Sequence, residues 1–172
     1  MNYKEKLHSI KSFIFDFDGV LSDGGVWGLP DGEFIRRTDV KDGYAIQYAV
    51  KKGYHVALIS GSNGESLVAR MRALGVEDVF LSCASKIEIY DRYLKQRGLK
   101  DREVLYIGDD IPDYEVMQRA GVAACPSDAA KEICEISDYV SHFPGGRGCV
   151  RDVIEQVLRL QGMWFHQDAF EW

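Results

Sequence analysis

The chain has 172 residues, 46% hydrophobic and 28% charged, with a formal net charge of −6. That is the size and composition of one globular domain; it excludes a disordered or collagen-like chain, and the acidic balance argues against nucleic acid as a partner. No run of 18 apolar residues is present, and the apolar stretch near the N-terminus is short and carries Asp16 and Asp18, so neither a membrane span nor a signal peptide is expected and the location expected is cytoplasmic.

In chain order, Phe13-Ile14-Phe15 reads as a buried strand with Asp16 at its end. Residues 26–38 read as a hairpin, with Val26-Trp27 and Phe34-Ile35 flanking a turn at Pro30-Asp31-Gly32. The spacing of Tyr44, Ala45, Tyr48 and Ala49 predicts a helix over 44–50 that stops at Gly53. A strand follows over 55–59, then a helix over 67–74 closed by Gly75, and a strand at Val79-Phe80-Leu81. Ile87, Tyr90, Tyr93 and Leu94 mark one face of a helix ending at Gly98, and residues 104–107 form a strand that runs into Gly108-Asp109-Asp110. Pro112 suits the first turn of the next helix. Short strands at 122–124 and 139–140 surround a helix near 129–135, a last helix spans 150–160, and residues 162–172 form a tail bearing Trp164, Phe165, Phe170 and Trp172. The reading is a single domain over 1–161 plus this tail.

Strands alternating with helices imply an α/β fold, a Rossmann-like parallel sheet with helices on both faces. Ligands of such sheets bind beyond the carboxyl ends of the strands. At those ends stand Asp16 and Asp18, Ser60 and Gly61, Lys86, and Asp109 with Asp110. Several carboxylates gathered at one edge repel one another unless a cation joins them. A hard divalent ion with oxygen ligands meets that need, and Mg²⁺ is the usual one beside a phosphate. Asp16 and Asp109 are the expected carboxylate ligands and Asp18 offers its backbone carbonyl; Asp110 and Asp113 are candidates for ligating the ion or orienting its waters. Lys86, the Ser60 hydroxyl and the backbone at Gly61 would cradle a phosphoryl group. Asp16 is then available as a nucleophile, and Asp18 as the acid and base that serves the leaving oxygen and the water.

The four cysteines, Cys83, Cys125, Cys134 and Cys149, form no CxxC pair and read as reduced thiols at or near the core. Asp23 reads as a turn residue. Gly145, Gly146 and Gly148 around Arg147 make either a plain connector or a loop that brings the arginine to a site. Trp27 reads as an interface residue.

FDFDGVLSDG at 15–24 resembles the first motif of the haloacid dehalogenase superfamily, and Ser60, Lys86 and the GDDxxD run at 108–113 fall where its other three motifs belong. The resemblance implies that Asp16 is the nucleophile and Asp18 the acid/base. It implies that Ser60 and Lys86 hold the phosphoryl group and that Asp16, Asp18 and Asp109 bind Mg²⁺. VLSDGGVW (20–27), VKDGYAIQYAVKKG (40–53), IGDDIPDYEVM (107–117) and FPGGRGCVRDVIEQVL (143–158) are similar to a narrower family, the 3-deoxy-D-manno-octulosonate 8-phosphate phosphatases. That family has no cap domain, forms homotetramers whose subunits close one another's sites, and releases phosphate from a sugar phosphate on the way to lipopolysaccharide. Two positions depart from its pattern: Ser62 and Gln47 stand where many members carry arginine, which leaves Lys41, Arg70 and Lys86 as candidate partners for the anionic groups of the substrate. The same chemistry on a 9-phosphate nonulosonate is the nearest alternative; a phosphorylated receiver domain and a non-catalytic oligomerisation module are the others. The hairpin is expected to mediate assembly and the tail to approach a neighbour's site.

Overall fold

The computed structural model describes residues 2–172. Six parallel strands form one sheet in the spatial order β5-β4-β1-β6-β7-β8: β1 (Ser12–Phe15), β4 (His55–Ile59), β5 (Asp78–Phe80), β6 (Val104–Ile107), β7 (Val122–Cys125) and β8 (Tyr139–Val140). Every residue of β1, β6 and β7 is buried, the pattern of strands covered on both faces. β1 lies in the middle, with Phe15 beside Leu58 of β4 on one side and Ile107 of β6 on the other.

Side chains alternate across the sheet and build two cores. Phe13, Phe15, Leu58 and Ile107 pack under α2 (Val40–Lys51), α3 (Glu65–Ala73) and α7 (Cys149–Leu160). Ile14, Ile59, Tyr106 and Cys125 pack under α4 (Lys86–Arg97), α5 (Tyr114–Arg119) and α6 (Lys131–Ile136). The predicted order of strands and helices holds, with shifts at the ends. α2 begins four residues before the apolar periodicity, because the Asp39 carboxylate accepts the N–H groups of Lys41 and Asp42 and so starts the helix early. α4 ends where expected: Gly98 closes it with φ of 66°. A short helix α1 (Tyr3–Leu7), held by a capping box between Asn2 and Glu5, was not predicted.

The first crossover carries a small addition. β2 (Trp27–Gly28) pairs antiparallel with β3 (Phe34–Ile35), setting Trp27 opposite Ile35. This hairpin is the whole of the insertion between β1 and α2, and no cap domain is present among the described residues. Its apolar residues are exposed, Trp27 at 74%.

The tail folds back onto its own chain. Trp164 lies edge-on to Tyr44 and Tyr48, under the guanidinium groups of Arg151 and Arg159. Asp168 pairs with Lys52, and Tyr44 Oη donates to the carbonyl of Ala169. Lys51 and Lys52 at the end of α2 hold Asp168 and Glu171, while Tyr44 and Arg151 near the starts of α2 and α7 hold Trp164, so the tail lies along these two helices. Phe165, Phe170 and Trp172 remain exposed.

Candidate active site

Beyond the carboxyl ends of β1, β4 and β6 lies an open cleft of about 500 Å³ lined by Asp16, Asp18, Ser60, Gly61, Lys86 and Asp109, among others. It sits where the strand order reverses, β1 leading outward to β4 on one side while β6 starts the other half. Six predicted groups are therefore brought together from four elements.

Asp16 ends β1. Its Oδ1 accepts the N–H of Phe17 at 2.7 Å and lies 3.0 Å from Lys86 Nζ, while Oδ2 makes no hydrogen bond among the described residues. Lys86 is the first residue of α4, where the helix dipole disfavours a cation. It stays there, 7% exposed, because Asp16 and Asp113 both claim its ammonium. Burial works against that charge and the two carboxylates overcome it, raising its pKa. Asp113 is fully buried and spends one oxygen on Lys86 Nζ at 2.7 Å and Tyr106 Oη at 2.6 Å. Its other oxygen accepts the N–H of Asp109 at 3.1 Å. Asp113 thus aims the lysine and shapes the loop that carries Asp109.

Asp16, Asp109 and Asp113 bring carboxylate oxygens within 4.8 Å of one another. Asp109 Oδ1 is buried and has no partner. Burial, and then the charges of Asp16 and Asp113, push the Asp109 carboxyl up to about 8. Burial, with the charge of Asp113, pushes Asp16 up to about 6 against the pull of Lys86. An orphaned buried oxygen among mutually repelling acids is what a hard divalent cation relieves, so the donor set fits one. Gly19 is required here: its φ is 86°, and a Cβ there would collide with the Asp109 carboxylate.

The side of the cleft expected to hold phosphate follows β4. Ser60 is buried, its Oγ accepts the N–H of Ser62 at 3.2 Å, and the N–H of Gly61 finds no acceptor among the described residues. The Asp18 carboxylate turns away from the other acids. Its Oδ1 accepts from Arg36 Nε at 2.6 Å and its Oδ2 accepts from the Ser62 hydroxyl. Of the three predicted metal ligands, Asp18 is left with its backbone carbonyl for that purpose.

Lys41 and Arg70 do not join this cleft. Lys41 is exposed and borders a groove with Arg147 and Arg151 beside α7, and Arg70 borders a hollow under the hairpin that it shares with Phe34 and Arg36. Asp23 pairs with Arg37 and Arg147, as a loop-fixing residue would. The glycine loop before α7 has a use that the sequence left open: a Cβ at Gly145 would strike the carbonyl of Gly19, and Gly146 donates its N–H to Val20 O at 2.8 Å. It buttresses the loop that carries Asp16 and Asp18. Arg36 and Tyr106 were not singled out from the sequence. The alternation Phe34-Ile35-Arg36, which sets 34 and 36 on one face of the hairpin, was the available signal for Arg36.

A carboxylate at the end of a central parallel strand, an acidic cluster beside it and a lysine buried between acids are the groups of a phosphate-handling α/β hydrolase. Residues 26–121 match the family model of the haloacid dehalogenase-like hydrolases. The chain is 34% identical over 157 residues to the 3-deoxy-D-manno-octulosonate 8-phosphate phosphatase KdsC of Salmonella typhi, covering 91% of this chain and 84% of that one. The Yersinia pestis phosphatase of the same name superimposes with a TM-score of 0.91 at 31% identity, covering 94% of this chain and 87% of that one. The Moraxella catarrhalis phosphatase, solved in complex with magnesium, phosphate and KDO, gives a TM-score of 0.92 at 30% identity and covers 98% of this chain and 95% of that one. The chain belongs to the haloacid dehalogenase-like hydrolases, among the capless phosphatases of the KdsC type.

Proposed function

We propose that this protein hydrolyses 3-deoxy-D-manno-octulosonate 8-phosphate to the free sugar acid and phosphate through a phosphorylated Asp16. The observation that carries the reading is the pairing of Asp16 with a lysine buried at 7% exposure, inside an acidic cleft that holds a second carboxylate, Asp18, two residues on. The relatives named above support the substrate. Mg²⁺ is the cofactor of the reading, held by Asp16, Asp109 and the backbone carbonyl of Asp18; bound there, it supplies positive charge that offsets the acids and the phosphoryl oxygens.

Lys86 Nζ, Ser60 Oγ and the N–H of Gly61 hold and orient the phosphoryl group. Asp16 attacks phosphorus with one carboxylate oxygen, forming an acyl phosphate while the bond to the sugar oxygen breaks. Asp18, entering this step as the protonated acid, gives its proton to that oxygen and is left as the carboxylate. The same carboxylate then takes a proton from water as the water attacks phosphorus and frees Asp16. Lys86 keeps Asp16 in place through both halves, and Asp113 keeps Lys86.

The working form of the reading is a homotetramer, as the family resemblance implies, and the exposed hairpin with Trp27 and Ile35 supports an interface there. Since the tail is seated on its own α2 and α7, any approach to a neighbour's site falls to Phe165, Phe170 and Trp172. Light scattering on the full chain tests the assembly, and a monomer refutes it. The activity test is phosphate release from a panel of sugar phosphates, octulosonate 8-phosphate and a nonulosonate 9-phosphate among them, after chelation and after Mg²⁺ is restored. The expected result is selective release from the octulosonate with Mg²⁺ alone restoring the rate; equal activity on every sugar, or full activity after exhaustive chelation, overturns the reading.

A further inference from the structure

We propose that Arg36, on the hairpin, is a specificity-determining residue that binds the carboxylate of a phosphorylated sugar acid. The inference deepens the function proposed above and rests on it for the placement of the phosphate. If Asp18 protonates the leaving oxygen, the sugar must extend past Asp18, away from Lys86. The group standing on that side is the Arg36 guanidinium, with Nε on Asp18 Oδ1 at 2.6 Å and Nη2 on Ser62 Oγ at 3.2 Å.

Three observations suit it to an anion. Its side chain is 10% exposed, and its guanidinium lies 5.9 Å from the ring centre of Phe34, so its direction is held by packing rather than left to solvent. Among the described residues Nη1 meets no acceptor, so part of a five-donor fork is unspent. Beyond it opens a cleft of about 650 Å³ between the hairpin and the start of α3, bordered by Phe34, Asn63, Ser66 and Leu81. Glu33 and Glu65 border the same cleft. A carboxylate is therefore welcomed at the guanidinium and repelled at the rim, which selects one orientation. With Nε kept on Asp18, the outer edge of the fork takes the two carboxylate oxygens side by side, a match that a lysine ammonium cannot reproduce. One side chain thus sets the distance between the leaving oxygen and the acid group of the sugar.

The test uses the full chain with Mg²⁺ and compares wild type, Arg36→Gln and Arg36→Lys, each checked for fold by circular dichroism. Each is assayed on octulosonate 8-phosphate against p-nitrophenyl phosphate, and on 6-phosphogluconate against glucose 6-phosphate, a pair that differs at the carboxylate. A charge-assisted bond of this kind is worth about tenfold to a hundredfold. Arg36→Gln is expected to lower the kcat/KM ratio of acid to non-acid substrate by about that factor, chiefly through KM, with Arg36→Lys in between. An equal fall on both members of each pair, which a residue that only positions Asp18 would give, overturns the proposal, as does an unchanged ratio. The substrate reading fails separately: wild type that ignores octulosonate 8-phosphate defeats it, and a drop in the 6-phosphogluconate ratio then still upholds the carboxylate anchor.

Discussion

The strand-end cleft and the hairpin beside it are built on opposite principles. In the cleft, charges are buried and over-determined: Lys86 serves two acids, Asp113 serves a lysine, a tyrosine and a backbone N–H, and Asp109 is left with an unpaired oxygen. In the hairpin the strands are two residues long, apolar side chains are exposed, and just past β3 a single arginine, Arg36, reaches Asp18. On the function proposed above, the cleft serves the step that any phosphate ester shares, and the hairpin is the part that would tell one ester from another.

The largest effect belongs at the centre. Asp16→Asn is expected to abolish phosphate release in a phosphate-detection assay while the far-UV spectrum is kept, since the covalent path is lost and uncatalysed phosphate-ester hydrolysis is among the slowest reactions known. Near-normal turnover in the variant would remove Asp16 from the nucleophilic role. Asp18→Asn is expected to lose a factor at or above the upper end of about 10²–10⁴, because the proton is handled in both half-reactions; a variant that keeps a tenth of the rate would clear Asp18 of that duty.

Lys86→Met tests whether the cleft is as tightly coupled as described. Asp113 is fully buried and would be left without its cation, a loss worth about 3–5 kcal/mol of stability. Urea denaturation should show it, and a change below about 1 kcal/mol would mean that Asp113 is content with Tyr106 and the backbone.

Asp42 sharpens the comparison from the other face of the sheet. It is buried on α2 and accepts the N–H groups of Gly148 and Arg151 at the start of α7. Burial pushes its carboxyl up to about 6 from 3.8. A carboxyl raised on folding binds its proton more tightly in the folded state, so its contribution to stability is full below about pH 4 and is lost as pH rises through about 6. The span is at most about 3 kcal/mol. Denaturation of wild type against Asp42→Asn across pH 4–7 isolates this group from the others; parallel curves would show that the two N–H bonds cancel the burial.

The smallest effect is expected at the tail. Trp164 is half-buried between α2 and α7, so Trp164→Ala should cost about 1–2 kcal/mol and lower the melting temperature. A loss comparable to that of Lys86→Met would make the tail part of the core.

Much of this molecule was legible in the sequence. The central strands could be read because parallel strands buried on both faces are continuous apolar runs, and Asp16, Ser60 and Asp109 could be read because each directly follows such a run, with Lys86 shortly past the edge strand β5. Lys41 and Arg70 were candidates as the cations left where the family's arginines are absent; the structure sets both outside the strand-end cleft, Arg70 in the hollow it shares with Arg36. Arg36 was missed because its importance lies in meeting Asp18, eighteen residues away in sequence. The glycine loop at 145–148 was ambiguous for the same reason, since its fit against Gly19 and Val20 joins opposite ends of the chain.

The sequence by itself determined the class of fold and the kinds of group at the strand ends, because local apolar runs and the turn chemistry after them depend on neighbours within a few residues. Only the tertiary structure decided which carboxylate faces the lysine and which faces the arginine, that Asp113 is buried while Asp110 is not, and that Asp109 keeps an oxygen unpaired. Those outcomes follow from desolvation and from distances between charges carried on separate elements, and neither exists until the sheet has brought the elements together.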